Sequence, residues 1–294
     1  MGTTWSAEFY APAALDVPSL RAALENQLAS INAQMSHWRE DSDLSRFNRA
    51  APGEWVQLPA PLLHVLHAAL AVSAETAGAF DATLGRAADA WGFGPSQRRS
   101  SEPSPPSSVA PLQIRGGHVL QPGGVSLDFS AIAKGYAVDQ LARIVDEAGV
   151  ASYLVEIGGE LRARGIKPDA QPWWIAIERP PADPDFPDLR IALCGMSAAT
   201  SGDYRRYFES GGLRYPHTLD PRTQAPIRHA IASVTVLHPE AMLADAYSTA
   251  LAVMGPVAGI AFADAHDLAA VFILRARTGF RIEASRLFRE MLAQ

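Results

Sequence analysis

A single cysteine in 294 residues leaves no partner for an intramolecular disulfide and no second thiolate for a metal site. Cys194, set in the apolar run Ile191 to Met196, is therefore expected to be a small buried hydrophobe. Lysine is almost as scarce: Lys134 and Lys167 stand alone, and every other permanently cationic side chain is arginine. No dense run of Lys or Arg is interleaved with aromatics, and the formal net charge is −6, which excludes nucleic acid as the main partner. No apolar stretch is expected to approach the roughly 20 residues of a transmembrane helix. The first residues lack a basic segment followed by a hydrophobic run, so no export signal is expected. Familiar enzyme signatures are missing too: no G-x-G-x-x-G follows a strand, and G-x-S-x-G, H-E-x-x-H and the P-loop do not occur.

What is present is a globular composition, with 48% apolar residues, long enough for one large or two modest domains. We expect a single domain over 1–294. The Ser- and Pro-rich segment 96–111 offers few apolar anchors and is expected to be a mobile insertion loop. The chain is organised around Val125 to Gly165. There a short strand, Val125 to Phe129, is expected to meet a turn with Ser130 as N-cap, followed by an amphipathic helix to Gly149 and a second strand, Tyr153 to Ile157. The pair Gly158-Gly159 then lets another backbone or a ligand approach closely.

Several residues in this frame can carry chemistry. Lys134, in the first turn of the helix, suits a point charge on a phosphate held at a helix N-terminus, although alone it is equally a solvated helix residue. Asp128 beside a diphosphate is repulsive unless a cation intervenes or it binds another part of the ligand. Trp38 offers a flat surface for stacking, or a core contact. Asp81, between Gly78 and Gly85, can accept hydrogen bonds from a nucleotide or close an Asx-type turn. His217 is the best-placed proton acceptor at neutral pH, or a satisfied structural imidazole. Asp245 and Thr249 lie four residues apart on an expected helix, which presents two oxygens suited to a hard cation such as Mg²⁺; an Asp near a helix start also complements the dipole.

Taken together, LDFSAIAKGYAVDQLA followed by YLVEIGGELRARG resembles the central signature of the FAD:protein FMN transferases, the ApbE family. The match is long, ordered and ungapped, and the MGT start, MSHWREDSDLSRFN, GAFDATLG, ATSGDYRRYF and the Asp245 block continue it from Met1 to about Gly255. The resemblance implies an α+β, T-fold-related architecture of two interlocked lobes, with mixed or antiparallel sheets flanked by helices and a flavin site between the lobes. Composition and periodicity by themselves show only a mixed α/β protein. It also implies Met1 and Trp38 at the flavin, with Ala79, Phe80, Asp81, Asp128, Lys134 and Leu219 on the nucleotide. Asp245, Thr249 and a backbone oxygen of Ala131 would be metal ligands, and His217 or Asp245 the proton acceptor. The implied reaction is Mg²⁺-dependent transfer of FMN from FAD to a threonine hydroxyl of a target protein, releasing AMP. The rivals are an FAD pyrophosphatase, in which water replaces threonine, and a non-catalytic FAD-binding protein. Family members usually carry a leader; with none expected in the chain as written, the expected compartment is the cytoplasm, and the alternative, if a leader is missing, is the periplasmic face of the inner membrane. One departure stands out: after DPRT the family has Gly and a basic residue, and this chain has Gln224 and Ala225.

Overall fold

A computed structural model describes residues 2–96, 111–180, 183, 186–204 and 206–292. Met1 and nearly all of the expected insertion loop at 96–111 lie outside these described residues. The main sheet contains seven strands: β1 (Trp5–Phe9), β2 (Tyr153–Ile157), β3 (Glu160–Arg164), β4 (Met196–Gly202), β5 (Ile231–His238), β6 (Ala269–Arg275) and β7 (Phe280–Ala284). Every neighbouring pair is antiparallel, and each strand lies beside the next one in chain order. The α+β class is therefore realised with an antiparallel main sheet, and every other element except one helix after the last strand is inserted between adjacent strands.

The largest insertion, between β1 and β2, holds helices α1 (Val17–Met35), α2 (Asp43–Arg49), α3 (Ala60–Glu75), α4 (Gly85–Ala90) and α5 (Ala133–Glu147). Local chemistry starts the first two: Asp16 accepts the Ser19 N–H at 3.2 Å, and Ser42 accepts the Ser45 N–H at 3.0 Å. Between β5 and β6 runs α6 (Ala241–Ala265), and α7 (Arg286–Leu292) ends the chain. The N-terminus of α6 has no cap of its own. Asp139, on α5, supplies one by accepting the N–H groups of Ala241 and Met242 at 3.0 and 2.9 Å. Gly135 allows the two helices to meet, since a Cβ there would lie 2.1 Å from the Ala241 carbonyl oxygen.

Alternation along the strands separates the cores. On β5 and β6, Val234, Val236, Phe272 and Leu274 pack against Leu251 and Val253 of α6. Val271 and Ile273 face the opposite way, toward Phe288 of α7 and the hairpin formed by Trp173–Ala176 and Arg190–Leu193. A further core joins α1, α3 and α5 to Tyr153, Val155 and Ile157 of β2.

Four expectations are corrected. Val125 to Phe129 is extended but forms no strand: it has one parallel bridge, Ser126 to Leu84. The side chain of Asn48 substitutes for a strand partner, donating to the Leu127 carbonyl at 2.9 Å and accepting its N–H at 2.7 Å. Ser130 is not the N-cap of α5, because its hydroxyl is engaged by Asp128 at 2.6 Å and the helix begins at Ala133 with no side-chain cap. Cys194 is exposed, since the apolar run breaks there into the turn between the strand ending at Leu193 and β4. Finally, α6 is long and apolar enough to cross a membrane by length and composition; half of its most apolar window is buried in the fold, where it also carries the buried Asp245. The departure at Gln224 is accommodated: this residue takes the left-handed φ of 55° usual for glycine, and its N–H reaches the Asp220 carbonyl at 2.7 Å.

Candidate active site

A cavity of about 1180 Å³ opens where α1, α5, α6 and the strands β3 to β5 converge. That is more than the roughly 300–1,000 Å³ of ordinary small-molecule pockets, and it suits a dinucleotide-sized ligand. Trp38, Ala79, Phe80, Asp81, Asp128, Ala131, Lys134, His217, Leu219, Asp245 and Thr249 all line it. The sequence-derived candidates, drawn from positions more than 200 residues apart, thus converge on one space; of Met1's neighbours, Gly2 and Thr3 reach it.

One end is aromatic. Trp38 is 43% exposed despite its bulk, and its ring lies 5.2 Å from that of His37. His37 Nδ1 is 3.4 Å from Asp128. Asp128 also accepts the N–H of Ser130 at 2.8 Å, which shapes the turn ahead of α5. Because Ser130 is spent on that turn, the N-terminus of α5 lacks a side-chain cap, and Ser130, Ala131 and Ala133 face the cavity. An uncapped helix start of this kind favours an anion. Asp81 accepts the N–H and hydroxyl of Thr83 at 2.7 and 2.8 Å, so it closes a local turn while lining the cavity.

The same cavity is lined by a charge cluster whose two carboxylates are buried. Lys134 pairs with Glu160, its Nζ lies 4.0 Å from Asp245, and Asp245 accepts the Gly135 N–H at 3.1 Å. Burial alone would lower the Lys134 pKa, but Asp245 and Glu160 together hold it above the usual lysine value. Burial pushes the Asp245 carboxyl up, opposed by Lys134. It also pushes Glu160 up, to about 8, again against Lys134. Glu160 Oε2 is buried without a hydrogen-bond partner. Thr249 Oγ1 meets Ser201 at 2.7 Å, and Ser201 meets Ser248 at 2.8 Å, forming a hydroxyl cluster one helical turn from Asp245. Among the described residues no three His, Cys, Asp or Glu side chains come together. A cation here would rely on Asp245, the Thr249 hydroxyl, a backbone oxygen and ligand phosphates. This all-oxygen donor set, with an acceptor atom of Glu160 left over, fits hard-cation chemistry such as that of Mg²⁺.

His217 Nδ1 lies 3.1 Å from the Arg206 carbonyl oxygen, which makes Nδ1 the protonated nitrogen and leaves Nε2 with a lone pair. Burial, reinforced by the nearby Arg206 charge, lowers its pKa to about 4, so the ring is neutral at pH 7. Glu160 is the site residue absent from the sequence expectations. The available signal was a carboxylate directly after Gly158-Gly159, whose positive φ values of 63° and 106° turn β2 back into β3 and start Glu160 inward.

The family model of the ApbE family matches residues 1–272. A protein of Vibrio cholerae named FAD:protein FMN transferase is 38% identical, over 100% of this chain and 91% of its own length. A protein of the same name from Haemophilus influenzae is 36% identical over 99% and 89%. Among solved structures, the apo form of the Pseudomonas stutzeri flavinyl transferase ApbE superposes with a TM-score of 0.90 at 38% identity, covering 100% of this chain and 95% of that one. The ApbE protein of Thermotoga maritima does so with a TM-score of 0.81 at 28% identity, covering 98% and 99%.

Proposed function

The chain belongs to the ApbE family, and from this premise we propose that it transfers FMN from FAD to a threonine hydroxyl of a target protein, releasing AMP. The observation that carries the reading is that an uncapped helix start, a Lys–Glu–Asp cluster and a neutral imidazole all line one cavity. The aromatic end near Trp38 would take the flavin ring, and the α5 N-terminus the diphosphate. Asp245, Thr249 and the Ala131 carbonyl would hold Mg²⁺, which when bound supplies counter-charge to the phosphates. The threonine oxygen attacks the phosphorus on the riboflavin side, the bond from that phosphorus to the bridging oxygen breaks, and AMP leaves with the electron pair. His217 Nε2 takes the hydroxyl proton, a role that requires the neutral ring. Lys134, held charged by its two carboxylates, adds positive charge beside the phosphates.

The test is to incubate the protein with FAD, Mg²⁺ and a candidate flavoprotein subunit and to weigh all products. Covalent addition of FMN to the acceptor, with an equal amount of AMP, is expected. FMN and AMP appearing free at the same rate with or without acceptor would assign the site to water instead, and no turnover at all would leave a binding protein.

A further inference from the structure

The imidazole of His217 is held by more than its hydrogen bond. Phe93, which lines the same cavity, meets it in a T-shaped contact, with ring centroids 6.2 Å apart and planes inclined at 71°. Resting on the transferase reading above, we propose that Phe93 is a positioning residue for His217, fixing the plane of the imidazole so that Nε2 faces the acceptor hydroxyl.

Phe93 owes its place to the way α4 ends. Gly92 takes a left-handed φ of 78°, its N–H donates to the Asp89 carbonyl at 2.9 Å, and the Phe93 N–H donates to the Ala88 carbonyl at 2.9 Å. This paired closure of a helix on glycine pins the residue after the glycine to the last turn. Gly94 presses on the same turn, since a Cβ there would lie 2.7 Å from the Asp89 Cα. The backbone that carries Phe93 is therefore fixed by its own helix end.

The hairpin that leads into His217 is fixed to the same segment. Phe208 and Tyr215 are partners across the strands Tyr207–Ser210 and Leu213–Pro216, and their rings stack at 4.9 Å with planes 11° apart. Trp91 stacks on both, at 6.3 and 5.9 Å, and Phe93 lies 5.7 Å from Phe208. The Trp91 Nε1–H also donates to the Gln224 carbonyl at 2.9 Å, which ties in the turn beyond His217. With the backbone on both sides held in this way, the imidazole is what can still move. The last torsion of a histidine side chain is broad, and the contact of Nδ1 with the Arg206 carbonyl at 3.1 Å is a single point about which the ring can swing. The Phe93 ring supplies the second contact that stops it. The restraint matters because a reacting group misplaced by about 1 Å can lose roughly 100-fold in rate.

The experiment compares Phe93→Leu and Phe93→Met, which keep apolar bulk without the flat ring, with Phe93→Tyr, which keeps the ring; a thermal melt checks that each is folded. Nitrogen-15 NMR of ring-labelled histidine follows His217 in the FAD-loaded protein, its signals identified by their loss in His217→Ala. Wild type and Phe93→Tyr should show one state with Nδ1 protonated, and the Leu and Met variants a mixture of states. Phe93→Leu should slow FMN transfer at saturating FAD and acceptor by about 10- to 100-fold with FAD affinity unchanged, and should slow it no further in a His217→Ala background. Unchanged imidazole signals in both the Leu and Met variants, or a rate loss of the same size with and without His217, overturns the proposal. Imidazole signals that depend on Phe93, without FMN reaching any acceptor, would support the positioning while rejecting the transferase reading.

Discussion

His217 and Glu160 give the molecule two opposed pH responses. The His217 pKa falls from 6.5 to about 4 on folding, mainly through burial, so between these values the unfolded chain binds a proton that the native chain does not. The His217 contribution to stability therefore decreases as pH falls from 6.5 toward 4 and is constant above that window, whereas Glu160, raised from 4.5 to about 8, contributes stability that is lost as pH rises through that range. Transfer should respond differently from an enzyme with an ordinary histidine base: initial rates at saturating FAD should show no midpoint near 6.5, and one there would show that another group takes the proton. His217→Ala should leave FAD affinity unchanged and slow transfer by roughly 10²- to 10⁴-fold. Asp245 acts through charge. Asp245→Asn keeps volume and helix, so FAD should bind only moderately more weakly, whereas turnover should fall by at least about 10²-fold and the Mg²⁺ midpoint should rise. Wild-type turnover with an unchanged Mg²⁺ midpoint in that variant would remove α6 from the metal site.

Among the elements, the α5–α6 contact decides whether the site exists. Gly135 faces the Ala241 carbonyl so closely that Gly135→Ala must push α6 away, and with it Asp245, whose carboxylate is tied to the Gly135 N–H. Overpacking of this kind costs about 1–3 kcal/mol. Urea unfolding should record that loss together with weakened FAD binding, and an unperturbed variant would show that the helices have slack. The sequence was informative about this contact in an uneven way. Asp245 and Thr249 were readable because helical spacing places i and i+4 together, and α5 and β2 were readable from periodicity. Val125 to Phe129 misled because its pattern is that of a strand while its partners are the backbone groups of Ala82 and Gly85 and the side chain of Asn48 from a distant helix. Ser130 misled in the same manner, since its hydroxyl served a neighbouring carboxylate rather than a helix. Glu160 was invisible because its partner, Lys134, reaches it only after the β2–β3 hairpin has folded back on α5.

At the scale of the whole molecule, the large cavity is bounded by residues of both the α1–α3–α5 core and the α6-flanked sheet, so a ligand filling it ties the two together. FAD at 100 times its dissociation constant should add about 2.7 kcal/mol to the unfolding free energy. A thermal melt with FAD, with FMN and with neither should show the largest shift for FAD; equal shifts for FAD and FMN would mean that the adenylate half gains nothing from the α5 N-terminus. The sheet's chain order has a further consequence for how the molecule forms. β1 lies at the sheet edge and pairs with β2 alone, Trp5 opposite Ile157, so within the main sheet this strand has no partner until α1 to α5 have all emerged. Such long-range closure is slow, and an unpaired strand edge is prone to association while it waits. During synthesis, then, β1 waits through more of the chain for its partner than any other strand of the main sheet.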